Sequence, residues 1–387
     1  MMNVSVDAEP IVAGRAISPG LRTISVGELT FETGGWLPEV QLAYETWGTL
    51  NQDGSNAILI LHALTGDSHV VSSEALPHPG WWESLVGPGR PIDTRKWFVV
   101  APNMVGGCYG STGPSSPDPD GRPWGSRFPF TTIRDSVHAE ARLADALGIE
   151  TWHAVLGGSM GGARALEWAA TYPERVRGAG ILACGGAASA EQIAFAQSQV
   201  AAIKLDPHYR RGDYYGQQPP EEGLGIARRI AHITYRSEAE LQYRFARKPQ
   251  GQEDPFGQIT QRTGRYQIES YLDYKAKDLA SRFDANSYVV LTEALMSHDV
   301  GRNRGGQQAA VARIVATPFI AAVSSDRLYF PSQSQQLADD FNRGRGAQDP
   351  NHPQHVLSHQ IDSPIGHDGF LTAPEKIADE LIRVLEL

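Results

Sequence analysis

Short apolar runs separated by amphipathic stretches mark the first half of the chain. Residues 57–61, 97–101, 153–156 and 176–184 are apolar with little alternation, as strands buried on both faces are. Between the second and third runs, Ile133, Val137, Ala141, Ala144 and Leu147 recur at spacings of three and four. That spacing predicts a helix, with Thr132 as its N-cap and Gly148 as its stop. Upstream, residues 23–47 hold two β-rich stretches around Gly34-Gly35, which fits an antiparallel hairpin at a sheet edge. Strands alternating with helices imply an α/β fold whose mainly parallel sheet is covered on both faces.

After Gly185 the pattern changes. Residues 188–298 hold few strand-like runs and many helical ones, with polar, Tyr-rich and Arg-rich faces. The strand signal returns at 315–323, a helix follows at 331–341, and another closes the chain at 374–387. The expected organisation is a core of residues 21–185 and 301–387, with residues 186–300 inserted as a helical lid between two pieces of one sheet. Residues 1–20 read as a lead-in, and 251–264 and 344–353 as exposed loops.

Composition narrows the class. The 387 residues are 41% hydrophobic and 20% charged, enough for a core that needs neither disulfide nor metal. Two cysteines make no disulfide framework; Cys108, in a glycine-rich turn, and Cys184, ending an apolar run, read as reduced thiols. A net charge of −10 with both signs scattered argues against nucleic acid or an anionic membrane as partner. A local basic pocket for an anionic substrate remains compatible with it. The first 20 residues lack a basic start followed by an apolar stretch, and no window approaches the roughly 18 apolar residues of a membrane span. The expectation is a cytoplasmic enzyme.

The sharpest chemical signal is at 153–172. An apolar strand runs into Gly157-Gly158-Ser159-Met160-Gly161-Gly162, and an apolar helix begins at Ala163. This is the G-x-S-x-G nucleophile elbow in a strand–turn–helix setting, and it implies an α/β-hydrolase fold with a helical lid insertion. The serine hydroxyl must stand exposed at a tight turn, flanking glycines avoid Cβ clashes, and the helix N-terminus faces a developing oxyanion. Chain order then asks for an acid and a histidine, each after a later strand. Asp326 follows the run 319–323, and His367 sits in the loop before the last helix, so Asp326 is the acid and His367 the base. His352, His355 and His359 compete with His367 but lie in a Pro/Asn/Gln-rich stretch. His367 would take the Ser159 proton and return it to the leaving group, while Asp326 holds the ring tautomer. Backbone N–H groups of Leu64, in the loop after the first central strand, and Met160 would form the oxyanion hole. His62, His69 and His78 lack the spacing of a metal site. Gly106-Gly107-Cys108-Tyr109-Gly110 reads as a plain turn, since it lacks the strand, helix and acidic residue of a dinucleotide fingerprint.

Several stretches together resemble the homoserine O-acetyltransferases. They are residues 61–69 (Leu-His-Ala-Leu-Thr-Gly-Asp-Ser-His), Gly106-Gly107-Cys108 with 110–114, 124–129 (Trp-Gly-Ser-Arg-Phe-Pro), 157–162, 227–232 (Ala-Arg-Arg-Ile-Ala-His) and Gly366-His367-Asp368. The likeness runs from about residue 23 to the end. It implies acetyl-CoA as a co-substrate with no bound cofactor, L-homoserine as acceptor, ping-pong kinetics, a place in methionine biosynthesis and a homodimer formed through the lids. It also implies that Arg228 binds the homoserine carboxylate and Asp368 its amino group. An arginine fork independently suits a carboxylate, and Arg229 cannot face the same way on a helix. The tract 344–359 departs from the family by being longer and more His-rich. A succinyl donor, a serine acceptor or a plain carboxylesterase would use the same scaffold. A succinyl carboxylate would need its own cation, which Ala63-Leu64-Thr65-Gly66 does not offer locally.

Overall fold

A computed structural model describes residues 20–73, 77–257, 264–348 and 355–386. The apolar runs pair into one eight-stranded sheet: β1 (Arg22–Ser25), β2 (Gln41–Trp47), β3 (Ala57–Leu61), β4 (Phe98–Pro102), β5 (Trp152–Gly158), β6 (Val176–Leu182), β7 (Thr317–Val323) and β8 (Ser358–Ile361). Their spatial order is β1-β2-β4-β3-β5-β6-β7-β8. Pairs β1/β2 and β2/β4 are antiparallel, and every other neighbouring pair is parallel. The expected antiparallel edge is therefore present, and a small ladder of Leu29–Thr30 with Trp36–Leu37 turns through Gly34 beside it.

Strands β3 and β5 are buried along their whole length because both sheet faces are covered. Alternation divides the core in two. Leu59 and Leu61 pack with Val137, Leu143, Leu166 and Trp168 on one face; Ile58 and Ile60 pack with Trp82, Phe370, Leu381 and Val384 on the other. The first face belongs to α1 (Ile133–Ala146) and α2 (Met160–Thr171), the second largely to α10 (Gly369–Thr372) and α11 (Ala378–Leu385). Thr132 caps α1 reciprocally: its hydroxyl accepts from Asp135 N at 3.1 Å, and the Asp135 carboxylate accepts from Thr132 N at 2.9 Å. Gly148 follows the helix end at φ 73°.

Several boundaries differ from the sequence pattern, among them the end of β6 at Leu182 and the start of β7 at Thr317. Trp97 is outside β4 because its N–H closes a turn to Asp93 O at 2.9 Å. Helix α9 (Pro331–Gln348) runs beyond residue 341, where the Asn342 amide clasps both Val356 N and Val356 O at 2.8 Å. The closing helix is split into a 3-10 turn, Pro374–Lys376, and α11.

Between β6 and β7 lie α3 (Ala190–Leu205), α4 (Glu221–Tyr235), α5 (Glu238–Arg244), α6 (Gln267–Ala280), α7 (Ala285–Met296) and α8 (Gln307–Val311), with no described strand of the central sheet among them. The ends of this segment are laced together: Ala188 N donates to His298 O, and Val300 N to Gly186 O, both at 2.9 Å. Helix α4 packs against α3 and α6. Among the described residues no helix is long and apolar enough to cross a membrane.

Candidate active site

Strand β5 ends at Gly158 and α2 begins at Met160, leaving Ser159 alone in the turn with φ 58° and ψ −123°. Ser159 N donates to Leu182 O on β6 at 2.9 Å, and Ser159 O accepts from Ala163 N at 3.0 Å, so the turn is held on both sides. Two neighbouring glycines are set by close approach. A Cβ at residue 158 would overlap the Phe370 ring, and one at residue 161 would overlap the Leu61 carbonyl. The absence of side chains lets the first turn of α2 touch the end of β3.

Asp326 lies three residues past β7. Its Oδ1 accepts from Leu328 N at 2.8 Å and Tyr329 N at 2.9 Å, and its Oδ2 lies 2.6 Å from His367 Nδ1. The loop carrying His367 leaves β8 and turns at Gly366, φ 98°. Ser325 ties the two loops together, donating to Ser363 O at 2.5 Å and accepting from Gly366 N at 2.9 Å. The His367 ring is buried and stacked on Tyr329 (5.3 Å between centroids), with Tyr235 at 5.8 Å and the edge of Phe370 at 5.6 Å. Burial pushes its pKa down, but the charge and hydrogen bond of Asp326, with Asp368 nearby, outweigh that and hold it above the ordinary value. A proton on Nδ1 shared with Asp326 leaves the lone pair on Nε2, which is buried and has no hydrogen-bond partner among the described residues. Ser159 and the loops carrying Asp326 and His367 all follow the carboxyl ends of parallel strands, so they open on one edge of the sheet.

His355 and His359 are elsewhere: His355 is 3.5 Å from the Asn342 amide, and His359 is in β8 against Phe319. His352 lies outside the described residues. His69 pairs with Glu45 at 3.1 Å and His78 accepts the other side of that ring through its backbone carbonyl, at 2.8 Å. Cys108 and Cys184 are free and buried, and burial raises both thiols. The glycine-rich turn at 106–110 folds back on itself, with Gly113 against the Gly107 carbonyl.

Arg228 lies on α4, buried, with Nη1 3.4 Å from Thr65 Oγ1 in the loop after β3 and its guanidinium 5.8 Å from the Tyr235 ring. Its Nε is buried without a hydrogen-bond partner, and the side chain has no ion-pair partner among the described residues. Arg229 turns away and pairs with Asp273 on α6 at 2.9 Å. Asp368 is already bound: Arg236, at the end of α4, reaches it at 3.1 Å. Sequence spacing did not reveal that partner, because the two residues are joined only when α4 lies over the loop of His367. Burial, then Arg228, lowers the pKa of Lys275, and burial with Arg228, Lys275 and Arg236 pushes His232 down to about 2. This corner is thus rich in positive charge. Arg282 donates to Tyr109 Oη at 2.7 Å and to Thr65 O at 3.3 Å, so a cation does stand beside the loop after β3 although none is in its stretch 63–66. An apolar pocket, lined in part by Leu64, Phe195, Tyr235, Leu295 and Tyr329, adjoins the His367 ring.

The model of the α/β hydrolase fold family matches residues 56–372. The homoserine O-acetyltransferase of Thermobifida fusca (strain YX) is 57% identical over 354 residues, covering 90% of this chain and 89% of the relative. That of Mycolicibacterium smegmatis (strain ATCC 700084 / mc(2)155) is 47% identical over 391 residues, covering 97% of this chain and 99% of the relative. Among solved structures, the homoserine O-acetyltransferase from Bacillus anthracis aligns with TM-score 0.85 at 27% identity, covering 95% of this chain and 97% of that one. Esterase E22 aligns with TM-score 0.84 at 27% identity, covering 94% and 99%. Identity of this extent over nearly the whole length, on this sheet order, means that the chain belongs to the homoserine O-acetyltransferase family of the α/β-hydrolase fold.

Proposed function

We infer that this chain transfers an acetyl group to the hydroxyl of L-homoserine, with acetyl-CoA as donor and an acetyl ester on Ser159 as intermediate. In the first half-reaction Ser159 Oγ attacks the thioester carbonyl while His367 Nε2 takes its proton. Asp326 stabilises the imidazolium, and the N–H groups of Leu64 and Met160 receive the oxyanion. Collapse breaks the C–S bond, and the leaving thiolate takes the proton back from Nε2. In the second half-reaction the homoserine hydroxyl gives its proton to Nε2 and attacks the ester, and Ser159 recovers its proton on release of O-acetylhomoserine.

The observation that carries the amino-acid acceptor is Arg228. A buried guanidinium with an unpartnered Nε and, among the described residues, no carboxylate on it is costly unless a ligand supplies the anion. The carboxylate of homoserine does so, whereas a neutral ester gives it nothing. Asp368 then offers its second oxygen to the ammonium beside Arg236. The cations near Thr65 remove any local electrostatic reason to prefer acetyl over succinyl, so the acetyl donor rests on the family. In the same reading the enzyme is a cytoplasmic homodimer serving methionine biosynthesis, with neither metal nor resident cofactor.

Esterase activity is the second reading, favoured by the likeness to esterase E22 at TM-score 0.84. Release of CoA from acetyl-CoA separates them. A burst followed by steady release only when homoserine is added supports transfer, and steady release without homoserine supports hydrolysis. Intact-mass measurement should find one acetyl adduct, lost in Ser159→Ala, whose turnover should fall by roughly six orders of magnitude. An adduct retained in that variant moves the nucleophile elsewhere.

A further inference from the structure

The imidazole of His62 lies behind the loop that leads from β3 to Leu64, and the scheme above leaves it unused. It is 1% exposed, and both ring nitrogens are engaged. Nε2 accepts from the Met104 backbone N–H at 3.0 Å and lies 3.3 Å from Asn103 Nδ2. A ring nitrogen that accepts a backbone N–H carries no proton, so in the neutral imidazole the proton is on Nδ1. Nδ1 then donates to the carbonyl oxygen of Ala63 at 2.8 Å. The same oxygen accepts from Gly66 N at 2.9 Å. Burial and the neighbouring Arg164 guanidinium push the pKa down to about 3, against the contrary pull of the Ala63 carbonyl. The ring is therefore neutral, in one tautomer, throughout the working range of pH.

The Ala63–Leu64 peptide is trans, and a trans peptide points its N–H opposite to its C=O. Whatever fixes the Ala63 carbonyl also aims Leu64 N–H. The second donor, Met160 N–H, belongs to α2, and α2 is referenced to the same backbone. Arg164 Nη1 reaches His62 O at 3.5 Å, and Gly161 abuts the Leu61 carbonyl.

We propose that His62 is a positioning residue of the oxyanion hole, its Nδ1–H locking the Ala63–Leu64 peptide so that Leu64 N–H faces the acyl carbonyl on Ser159. The ring itself touches neither donor nor acceptor. The role rests on the acetyl-enzyme reading and extends it, since losing the ring weakens polarisation of the carbonyl rather than acceptor binding or proton transfer.

Infrared difference spectroscopy of enzyme acylated with acetyl-CoA labelled at the carbonyl carbon tests this. In folded His62→Leu the ester carbonyl band should move to higher frequency. Acylation and transfer should both slow by roughly 10²-fold, the scale of losing one hole donor, with KM for homoserine unchanged. His62→Gln, whose amide can donate to Ala63 O, should recover part of both. A band at the wild-type position in folded His62→Leu overturns the role of His62 alone. Wild type that carries no acetyl on Ser159 overturns the acetyl-enzyme reading, and this role with it. Nitrogen NMR of the wild type, which needs no variant to fold, should find the ring neutral and protonated on Nδ1 from about pH 5 to 9. A proton on Nε2 overturns the proposal, because such a ring cannot donate to Ala63.

Discussion

Ser159 holds a positive φ of 58° that an L-residue adopts at a cost of about 1–3 kcal/mol. The hydrogen bonds from Ser159 N to β6 and from Ala163 N to Ser159 O hold it there, so the strain sits where the proposed mechanism needs the hydroxyl. In the proposed mechanism His367, as the base, sets the pH dependence. Acylation requires the neutral ring, and its pKa is raised above the ordinary 6.5 by Asp326 against the effect of burial. The acylation rate should therefore rise with pH through a midpoint above about 6.5. Stopped-flow CoA release between acid and alkaline pH checks it; a midpoint below that value contradicts the ion pair. By linkage, the same pair stabilises the fold fully below the unfolded pKa, and that contribution is lost as pH rises through the raised folded value. In the same proposal Arg228 serves the other half-reaction. Arg228→Ala should spare the acylation burst and cut transfer to homoserine by about 2–5 kcal/mol, roughly 30- to several-thousand-fold. Equal loss in both halves would give the arginine to the donor or to the fold.

Helix α2 is the element on which the site depends, and it is fastened from behind by a buried network. Arg164, fully buried, pairs with Glu140 of α1, and Glu140 also accepts from Trp168 Nε1 at 2.8 Å and Ser136 Oγ at 2.7 Å. A buried guanidinium deprived of its carboxylate has no water to replace it. Glu140→Ala should thus destabilise by about 3–5 kcal/mol, and thermal unfolding should move down by about 5 °C. Glu140→Gln, which keeps acceptor and volume, should lose less. A melting temperature unchanged in Glu140→Ala would mean that α2 is anchored by its apolar face alone. The loops of Asp326 and His367 are joined by their own ion pair and by hydrogen bonds of Ser325 to Ser363 O and Gly366 N. Ser325 directly precedes Asp326 and Ser363 lies four residues before His367, but nothing in that spacing announces the link.

At the scale of the whole molecule, strand order and the helices between β6 and β7 decide what meets the serine. Helices α3, α4 and α6 carry the exposed apolar residues Leu205, Ile226, Ile233 and Tyr274. Apolar side chains left in water on an inserted segment are what a dimer through that segment would cover. Sedimentation should find particles of two chains, and Leu205→Glu combined with Ile226→Glu should shift them toward one. Dimers unaffected by that pair would place the interface elsewhere. Much of this architecture was legible in the sequence. Strand runs, the capped helix after Thr132, the serine turn and the change of pattern after Gly185 are local signals, set by side-chain periodicity and by backbone conformations that neighbours in the chain dictate. Chain order extended that reach to Asp326 and His367, which the structure holds at 2.6 Å. Tertiary structure alone decided the rest. It set Arg228 against Thr65, 163 residues away, gave Asp368 to Arg236, stacked Tyr329 and Tyr235 around His367, and turned His62 onto the Ala63 carbonyl, with Met104 N–H on its other nitrogen. Such pairings depend on where α4 settles over the sheet edge and on how β4 passes beside β3. Those placements come from the packing of two faces of core, and no local pattern of residues encodes them.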